Sequence, residues 1–258
     1  MHPPIIDRKD AIELFVDLVQ PDSPQRVLRL LGEAKMGKSH LVAKVYPRLA
    51  QQQGARCAVL DLRTQTQSIP DILDAACSLL GGDFPAYKTA YREWLNRPKV
   101  EVKGLLAFLS SLSFSAKEGQ EDATRQHNFL TTRFVVDLQR LNDQPVVLLF
   151  DAVNNAAPET QDWLISRLLV QLFPLKHVRV VVAGRQVPEP LGSYVPVCHS
   201  FELCAVTAEE EYVMYCQSMG VVLQEQSIRD LAKALDHTPG QFVDLVLRKF
   251  GPGAVTHA

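Results

Sequence analysis

The stretch Gly32-Glu33-Ala34-Lys35-Met36-Gly37-Lys38-Ser39 decides the fold of this chain. It fits the pattern G-x-x-x-x-G-K-S, follows an apolar, strand-like run at 26–31, and precedes a segment of helical character. Glycine lets a backbone approach a phosphate closely, and the N–H groups of a helix N-terminus point at phosphate oxygens. We therefore predict that residues 32–40, which end with His40, bind phosphate. The alternative is a glycine turn with an exposed lysine.

Two side chains of this loop carry the expected chemistry. Lys38 would reach the β- and γ-phosphates of a nucleotide, and the Ser39 hydroxyl would coordinate Mg²⁺. About 110 residues later, the apolar run 146–150 ends at Asp151. An acid at the end of a buried strand is typical of a Walker B aspartate, which holds the hydration shell of the metal. The predicted metal ligands are Ser39 and Asp151, and the alternative for Asp151 is a cap on the following turn.

Two further positions bear on catalysis. Ala152 stands directly after Asp151, where many P-loop hydrolases carry a glutamate or aspartate that orients the attacking water. Alanine can neither accept a proton nor position water, so we expect hydrolysis to be slow. Arg185 follows the apolar run 178–183, and a cation at this end of a sheet could contact the γ-phosphate; an ordinary solvated arginine is the alternative. Lys38, Asp151 and Arg185 are thus the catalytic candidates of a weak ATPase.

Helical and strand-like segments alternate through the first 206 residues. Residues 11–19 place apolar side chains on one helical face, with Asp7 as the predicted N-cap. The helix that follows the loop should kink or end near Tyr46, because Pro47 removes a backbone donor. Residues 57–62 are predicted to form the next strand.

The middle of the chain has the same alternation. Residues 69–141 are predicted to be mostly helical, with a loop at 115–124, and a further helix should run from Pro158 to about residue 173. The near-continuous apolar runs at 146–150 and 178–183 indicate strands buried on both faces, as in a parallel sheet. The fold class is therefore α/β: a three-layer P-loop NTPase fold with a mostly parallel sheet.

The last 52 residues have a different character. Thr207-Ala208-Glu209-Glu210 fits a capping box, and helices are predicted at about 208–218, 225–236 and 240–250. We expect two domains, a nucleotide-binding core at 1–206 and a small helical lid at 207–258.

Composition limits the choice of partners. The net charge of −2 gives no electrostatic reason to expect a nucleic-acid partner. No run is apolar enough to cross a bilayer, and the N-terminus has neither a basic leader nor an apolar signal core. The five scattered cysteines are expected to be buried, reduced thiols. We expect a cytoplasmic protein without a membrane partner.

Together these segments resemble the STAND class of signal-transducing P-loop ATPases, which are related to the AAA+ proteins. The resemblance runs from residue 5 to about residue 250. Its segments are Ile5-Ile6-Asp7-Arg8, the loop at 32–39, the run that ends at Asp151, Val180-Val181-Val182-Ala183-Gly184-Arg185, and His237-Thr238-Pro239-Gly240-Gln241. The order of Asp151, a helix with Trp163, and Arg185 is most similar to the compact variants of bacterial conflict systems.

The resemblance implies roles for individual residues. Arg8 would lie near the adenine pocket and Pro239 would pack on the base; the alternatives are a helix cap and a helix start. ATP is expected rather than GTP, because the guanine-reading motif N-K-x-D is missing. Family loops usually read Gly-x-Gly-Gly-x-Gly-Lys, whereas Ala34 and Lys35 occupy the middle pair here. A positive φ at either residue would cost roughly 1 kcal/mol or more.

Three functions remain open at this point. The favoured one is a nucleotide-dependent switch with ATP and Mg²⁺ as cofactors, slow hydrolysis, a protein effector acting in trans, and nucleotide-dependent homo-oligomerisation in bacterial signalling or defence. The second is a catalytically impaired scaffold that binds nucleotide and recruits a protein. The third is an initiator-like AAA+ module acting on DNA, in which a basic winged helix would follow the lid; none is expected in residues 251–258.

Overall fold

The computed structural model describes residues 5–63, 68–96, 112–190 and 192–250. Five strands form one sheet in the order β2-β3-β4-β1-β5, and every neighbouring pair is parallel. The strands are β1 (Val27–Leu31), β2 (Arg56–Asp61), β3 (Val146–Asp151), β4 (Val178–Ala183) and β5 (Cys198–Glu202). The predicted α/β class and the predicted parallel sheet are confirmed.

Helices cover both faces of this sheet, which makes three layers. The α-helices of the described residues are α1 (Lys9–Val19), α2 (Lys38–His40), α3 (Tyr46–Gln52), α4 (Ile69–Leu80), α5 (Pro85–Leu95), α6 (Leu112–Leu138), α7 (Pro158–Trp163), α8 (Leu169–Leu172), α9 (Glu209–Ser218), α10 (Glu225–Ala234) and α11 (Pro239–Phe250). No helix among these described residues combines the length and apolarity needed to span a membrane.

The central strands explain why the apolar runs are continuous. Every residue of β3 and of β4 is buried. Along β3, Leu148 and Phe150 join a cluster with α4–α8, while Val147 and Leu149 join a cluster with α1 and α3 on the opposite face. Successive strand residues point to opposite faces, so a strand covered on both sides is apolar at nearly every position. Arg179 of β4 is an exception, and its buried guanidinium donates hydrogen bonds to the carbonyl oxygens of Leu18 and Gln20.

Pro47 changes the helix after the loop without ending it. The residues Leu41–Val45 form a π-helical turn between α2 and α3. Because proline has no N–H, the α-helical pattern cannot continue unchanged at this point, and a π-turn is one way in which a helix accommodates the change. Tyr46, directly before the proline, stacks on Phe15 with ring centroids 4.1 Å apart. This contact packs α3 against α1.

Two predictions for the core are wrong. Residues 115–124 lie inside the continuous helix α6 and do not form a loop. Lys, Glu, Gln and Ala predominate there and favour helix, so their polarity does not indicate a loop. The edge strand β5 was not predicted, because its sequence Cys-His-Ser-Phe-Glu lacks the apolar continuity of the inner strands.

Two predicted helix caps are also wrong. The N-cap of α1 is Arg8, not Asp7, and the Arg8 side chain makes no capping bond; the Asp7 Oδ1 accepts only a long hydrogen bond, of 3.5 Å, from the Lys9 amide. The N-cap of α9 is Ala208, one residue after Thr207, and no capping box forms there. The acidic side chains at the start of α9 instead pair with α10, Glu210 with Arg229 at 2.7 Å and Glu209 with Lys233 at 3.1 Å. A box does form at the start of α4, between Ser68 and Asp71.

The helices α9–α11 pack around an apolar cluster of their own, centred on Tyr212 and Phe242 with ring centroids 4.8 Å apart. Ile6, from the segment before α1, also belongs to this cluster. The three helices lie close to the positions that the sequence predicted. The five cysteines are free thiols, as predicted, but only Cys77 and Cys216 are buried; Cys57 and Cys198 are half-buried and Cys204 is exposed.

Candidate functional site

A cavity of about 660 Å³ lies at the carboxyl end of the parallel sheet, between the core and α9–α11. Open α/β sheets bind ligands at this end of their strands, and the volume is within the usual range for small-molecule sites. The polar wall comes from the loop and the strand ends. The apolar wall comes from Ile5 and Ile6, from Tyr215 of α9 and its C-cap Met219, and from Pro239, Val243 and Leu247 of α11.

The loop after β1 adopts the backbone conformations that its glycines permit. Gly32 has φ +140°, and a Cβ there would lie 2.6 Å from the Leu203 carbonyl oxygen. Gly37, the N-cap of α2, is left-handed with φ +94°. Lys35 is also left-handed, with φ +65°, which confirms that one of the two non-glycine replacements carries a strained conformation. Residues 34–40 of the loop line the cavity, whereas Gly32 and Glu33 do not.

Lys38 is held inside the loop. Its Nζ donates hydrogen bonds to the carbonyl oxygens of Gly32 at 2.5 Å and Glu33 at 2.7 Å, and the residue is only 9% exposed. Burial lowers the pKa of Lys38, while Asp151 and Glu33 oppose that shift. A buried ammonium group bonded only to neutral carbonyls is poorly compensated, so the site favours an anionic ligand.

Ser39 and His40 follow Lys38 on the cavity wall. Ser39 is exposed, so its hydroxyl is accessible to a ligand. The His40 Nε2 atom is buried and has no hydrogen-bond partner among the described residues. Burial, followed by Lys44 and Arg48, lowers the pKa of His40. A neutral imidazole can donate or accept one hydrogen bond at this atom.

Asp151 ends β3 on the opposite side of the cavity. The residue is 3% exposed, and its Oδ1 accepts a hydrogen bond from the Ala152 amide at 2.8 Å. Ala152 has φ +57° and ψ +36°, a left-handed conformation that alanine rarely adopts. This turn leads the chain from Asp151 into the short 3₁₀ turn Val153–Asn155. Asp151 lines the same cavity as the loop, and its bond to the Ala152 amide also fits the alternative of a cap on the following turn.

Asn154 connects the ends of two strands. Its Oδ1 accepts a hydrogen bond from the Arg185 amide at 2.8 Å, directly beyond the end of β4. Gly184 makes this close approach possible, because a Cβ there would lie 3.0 Å from the Asn154 Oδ1. The Arg185 residue is exposed and lines the cavity. The amide thus fixes the backbone from which the Arg185 side chain extends.

Arg8 joins the N-terminal segment to the loop. Its guanidinium donates to the Met36 carbonyl at 2.9 Å and to the Cys204 carbonyl at 3.0 Å. Burial lowers the pKa of Arg8. Arg8 lines the cavity, although its proximity to an adenine pocket stays a prediction. Both of these bonds go to backbone carbonyls, so part of its role is to support the loop.

The helix α11 touches the loop directly. Gly240 donates its backbone N–H to the Lys35 carbonyl at 2.8 Å, and a Cβ on Gly240 would lie only 2.5 Å from that oxygen. The Lys35 Nζ pairs with the Asp244 Oδ2 at 2.6 Å. Pro239 begins α11, as the second alternative predicted, and it also lines the cavity, whereas its packing on a base stays a prediction.

Sequence analysis missed several lining residues. Arg63 follows β2 and reaches the cavity, although only its position after a strand could have pointed to it. Asn154 was not among the predicted site residues, because its bond to the Arg185 amide depends on how two strands end side by side. The apolar residues of α9 and α11 look like ordinary core positions in the sequence.

Comparisons with known proteins identify the type of fold. No family model and no curated protein sequence matches the chain. A Walker-type ATPase of Pyrococcus abyssi has 13% identity and a TM-score of 0.51, with 96% of this chain and 70% of that protein aligned. Cdc6p of Pyrobaculum aerophilum has 14% identity and a TM-score of 0.59, with 96% of this chain aligned to 62% of its length. Identities this low show the fold alone, which is that of the Walker-type P-loop ATPases.

Proposed function

We propose that the chain binds ATP with Mg²⁺ in the cavity and works as a nucleotide-dependent switch that hydrolyses ATP slowly. The single observation that carries the proposal is the cavity itself. It brings the loop and Asp151 of the core against residues of α9–α11, so one ligand would touch both parts.

Several features of the cavity support a nucleotide. The buried ammonium group of Lys38 favours an anionic ligand. Ser39 and Asp151 lie in the same cavity, and their side chains have oxygen atoms of the kind that Mg²⁺ prefers. When bound, Mg²⁺ would neutralise charge on the phosphates. The apolar wall of α9 and α11 suits a purine ring. The likeness in fold to a Walker-type ATPase adds to this case.

The switch follows from the position of α9–α11, which we propose as a lid. A ligand changes a conformational equilibrium only by binding one form more tightly. With the lid closed, a nucleotide would contact both the loop and α11, and with the lid open it would lose the second contact. Bound nucleotide would therefore favour the closed form.

Slow hydrolysis follows from the residue after Asp151. In hydrolysis, a water oxygen attacks the γ-phosphorus, the bond from that phosphorus to the bridging oxygen breaks, and ADP leaves with inorganic phosphate. The chain places Ala152 where a water-orienting carboxylate is expected. Lys38 and Arg185 would still stabilise charge on the phosphates, but the attacking water would lack a base at position 152.

The wider role is proposed from the resemblance to the STAND class. A switch of that class in bacterial signalling or defence would act on a protein effector in trans, through nucleotide-dependent homo-oligomerisation in the cytoplasm. Ala152 also favours a second function, a scaffold that binds nucleotide and recruits a protein without turnover.

The test is thermal melting of the wild type and Lys38→Ala with ATP·Mg²⁺, ADP·Mg²⁺, ATP with a chelator, or no nucleotide. Phosphate release is followed in the same samples. At 100 times its dissociation constant, a ligand should stabilise the wild type by roughly 2.7 kcal/mol, which is several degrees. Lys38→Ala should lose this shift. Lys44→Ala, an exposed lysine of the following π-turn, is the matched control and should keep it.

The outcomes separate the two functions. Stabilisation with slow phosphate release supports the switch, and stabilisation without any release supports the scaffold. An unchanged melting temperature of the wild type with ATP·Mg²⁺ would rule out the nucleotide site. Equal shifts in the wild type and Lys38→Ala would show that nucleotide binds elsewhere.

A further inference from the structure

The Arg63 side chain lies at the cavity wall, where a neighbouring carboxylate orients it. It lies two residues beyond β2, and its Nε donates to the Asp61 carboxylate at 2.9 Å to Oδ1 and 2.8 Å to Oδ2. The Arg63 backbone N–H also donates to the Asp61 Oδ1, at 3.0 Å. A local carboxylate therefore orients the guanidinium, and the side chain remains 60% exposed at the cavity wall.

The sheet places Arg63 beside the metal candidate. Asp61 and Asp151 are register partners on the parallel strands β2 and β3, and the Leu62 amide donates to the Asp151 carbonyl at 3.0 Å. The carboxylates of Asp61 and, to a smaller extent, Asp151 raise the pKa of Arg63. On the other side of β3, the strand β4 leads to Arg185. Strands two apart are separated by roughly 10 Å, so two arginines flank Asp151.

The chemistry of the two arginines suits phosphate. A guanidinium presents a planar fork of donors that matches phosphate oxygens. The ion pair of Arg63 with Asp61 is largely exposed, and such pairs contribute little to stability. Arg63 can therefore exchange a carboxylate oxygen for a phosphate oxygen at small cost. Lys38, by contrast, sits within the loop and is positioned for phosphates close to the loop backbone.

We propose that Arg63 is a second arginine of the phosphate site, which contacts the terminal phosphate of a nucleoside triphosphate from the side of β3 opposite Arg185. Asp61 holds the guanidinium in place when that phosphate is missing. The assignment rests on the proposed nucleotide site and extends it to a residue that discriminates triphosphate from diphosphate.

The experiment is calorimetric titration of the full chain with ATP·Mg²⁺ and separately with ADP·Mg²⁺. The variants are Arg63→Ala, Arg63→Lys and Arg56→Ala. Arg56 begins the same strand at the opposite edge of the sheet, where it contacts Gln144 and the Gly81 carbonyl, so it is the matched control. The melting temperature of each unliganded variant checks its fold.

Arg63→Ala should lower the affinity for ATP about tenfold or more, as expected for a lost charge-assisted hydrogen bond, and leave ADP within about twofold. Arg63→Lys should recover only part of the loss, because lysine lacks the fork. Unchanged ATP affinity in Arg63→Ala, or equal losses for ATP and ADP, would overturn the assignment while leaving the nucleotide site intact. A wild type that binds neither nucleotide would overturn both.

Discussion

In the α/β core, β3 and β4 are buried along their whole length, whereas the helices of the lid bury only part of each surface. In α10 the buried residues are Ile228 and Ala232, and in α11 they are Pro239, Phe242 and Val246. The contacts of the lid with the loop are a backbone hydrogen bond and an exposed ion pair. Regions with few buried contacts open at lower free energy. The core is therefore expected to be the rigid part and the lid the part that nucleotide controls.

The prediction with the largest expected effect tests whether the lid can unfold while the core stays folded. Phe242→Ala removes a fully buried ring from the lid cluster and should cost about 3–5 kcal/mol of local stability. Hydrogen exchange should then accelerate in α9–α11 and stay slow in β3 and β4. Phe134→Ala, an equally buried ring of α6, is the control and should destabilise the core. Equal acceleration of β3 and the lid in Phe242→Ala would show that core and lid form one cooperative unit.

An intermediate effect concerns the approach of α11 to the loop. Gly240→Ala places a Cβ 2.5 Å from the Lys35 carbonyl oxygen, so the helix must move away or the loop must shift. Overpacking of this kind costs about 1–3 kcal/mol. ATP affinity should fall about tenfold, with the melting temperature of the unliganded core nearly unchanged.

Gln241→Ala is the control for this prediction. Gln241 is the next residue on α11 and is exposed, so its replacement should leave ATP affinity as in the wild type. If Gly240→Ala binds ATP with wild-type affinity, closure of α11 on the loop is not needed for binding, and the lid loses its proposed role.

The smallest effect concerns the ion pair of Lys35 with Asp244, whose side chains are 55% and 50% exposed. Asp244→Asn should weaken ATP binding by no more than about 1 kcal/mol, and high salt should remove the difference. Titrations at two salt concentrations measure it. In a Lys35→Gln background the same replacement should have no further effect. A larger loss that persists in high salt would mean that Asp244 acts on the nucleotide itself.

The buried inner strands were easier to predict from the sequence than the exposed segments. The strand before Gly32, the run that ends at Asp151 and the run before Arg185 were predicted because inner parallel strands are apolar at most positions. The edge strand β5 and the helix over residues 115–124 were missed, because polar composition does not distinguish a loop from a solvated helix or edge. The predicted capping residue of α9 was also wrong, because Thr207 lies one residue before Ala208, which is the N-cap in the structure.

By itself, the sequence determined the α/β class, the strand-loop-helix unit around Gly32–Ser39 and the strand that carries Asp151, because each depends on local pattern and periodicity. Only the tertiary structure decided which distant residues meet. Arg63, Asn154 and Gly240 reach one cavity because parallel strands end at a single edge and α11 folds back over the loop. The Gly240 amide donates to the carbonyl oxygen of Lys35, whose backbone conformation is strained. These two residues lie 205 positions apart, so no local sequence pattern encodes their contact.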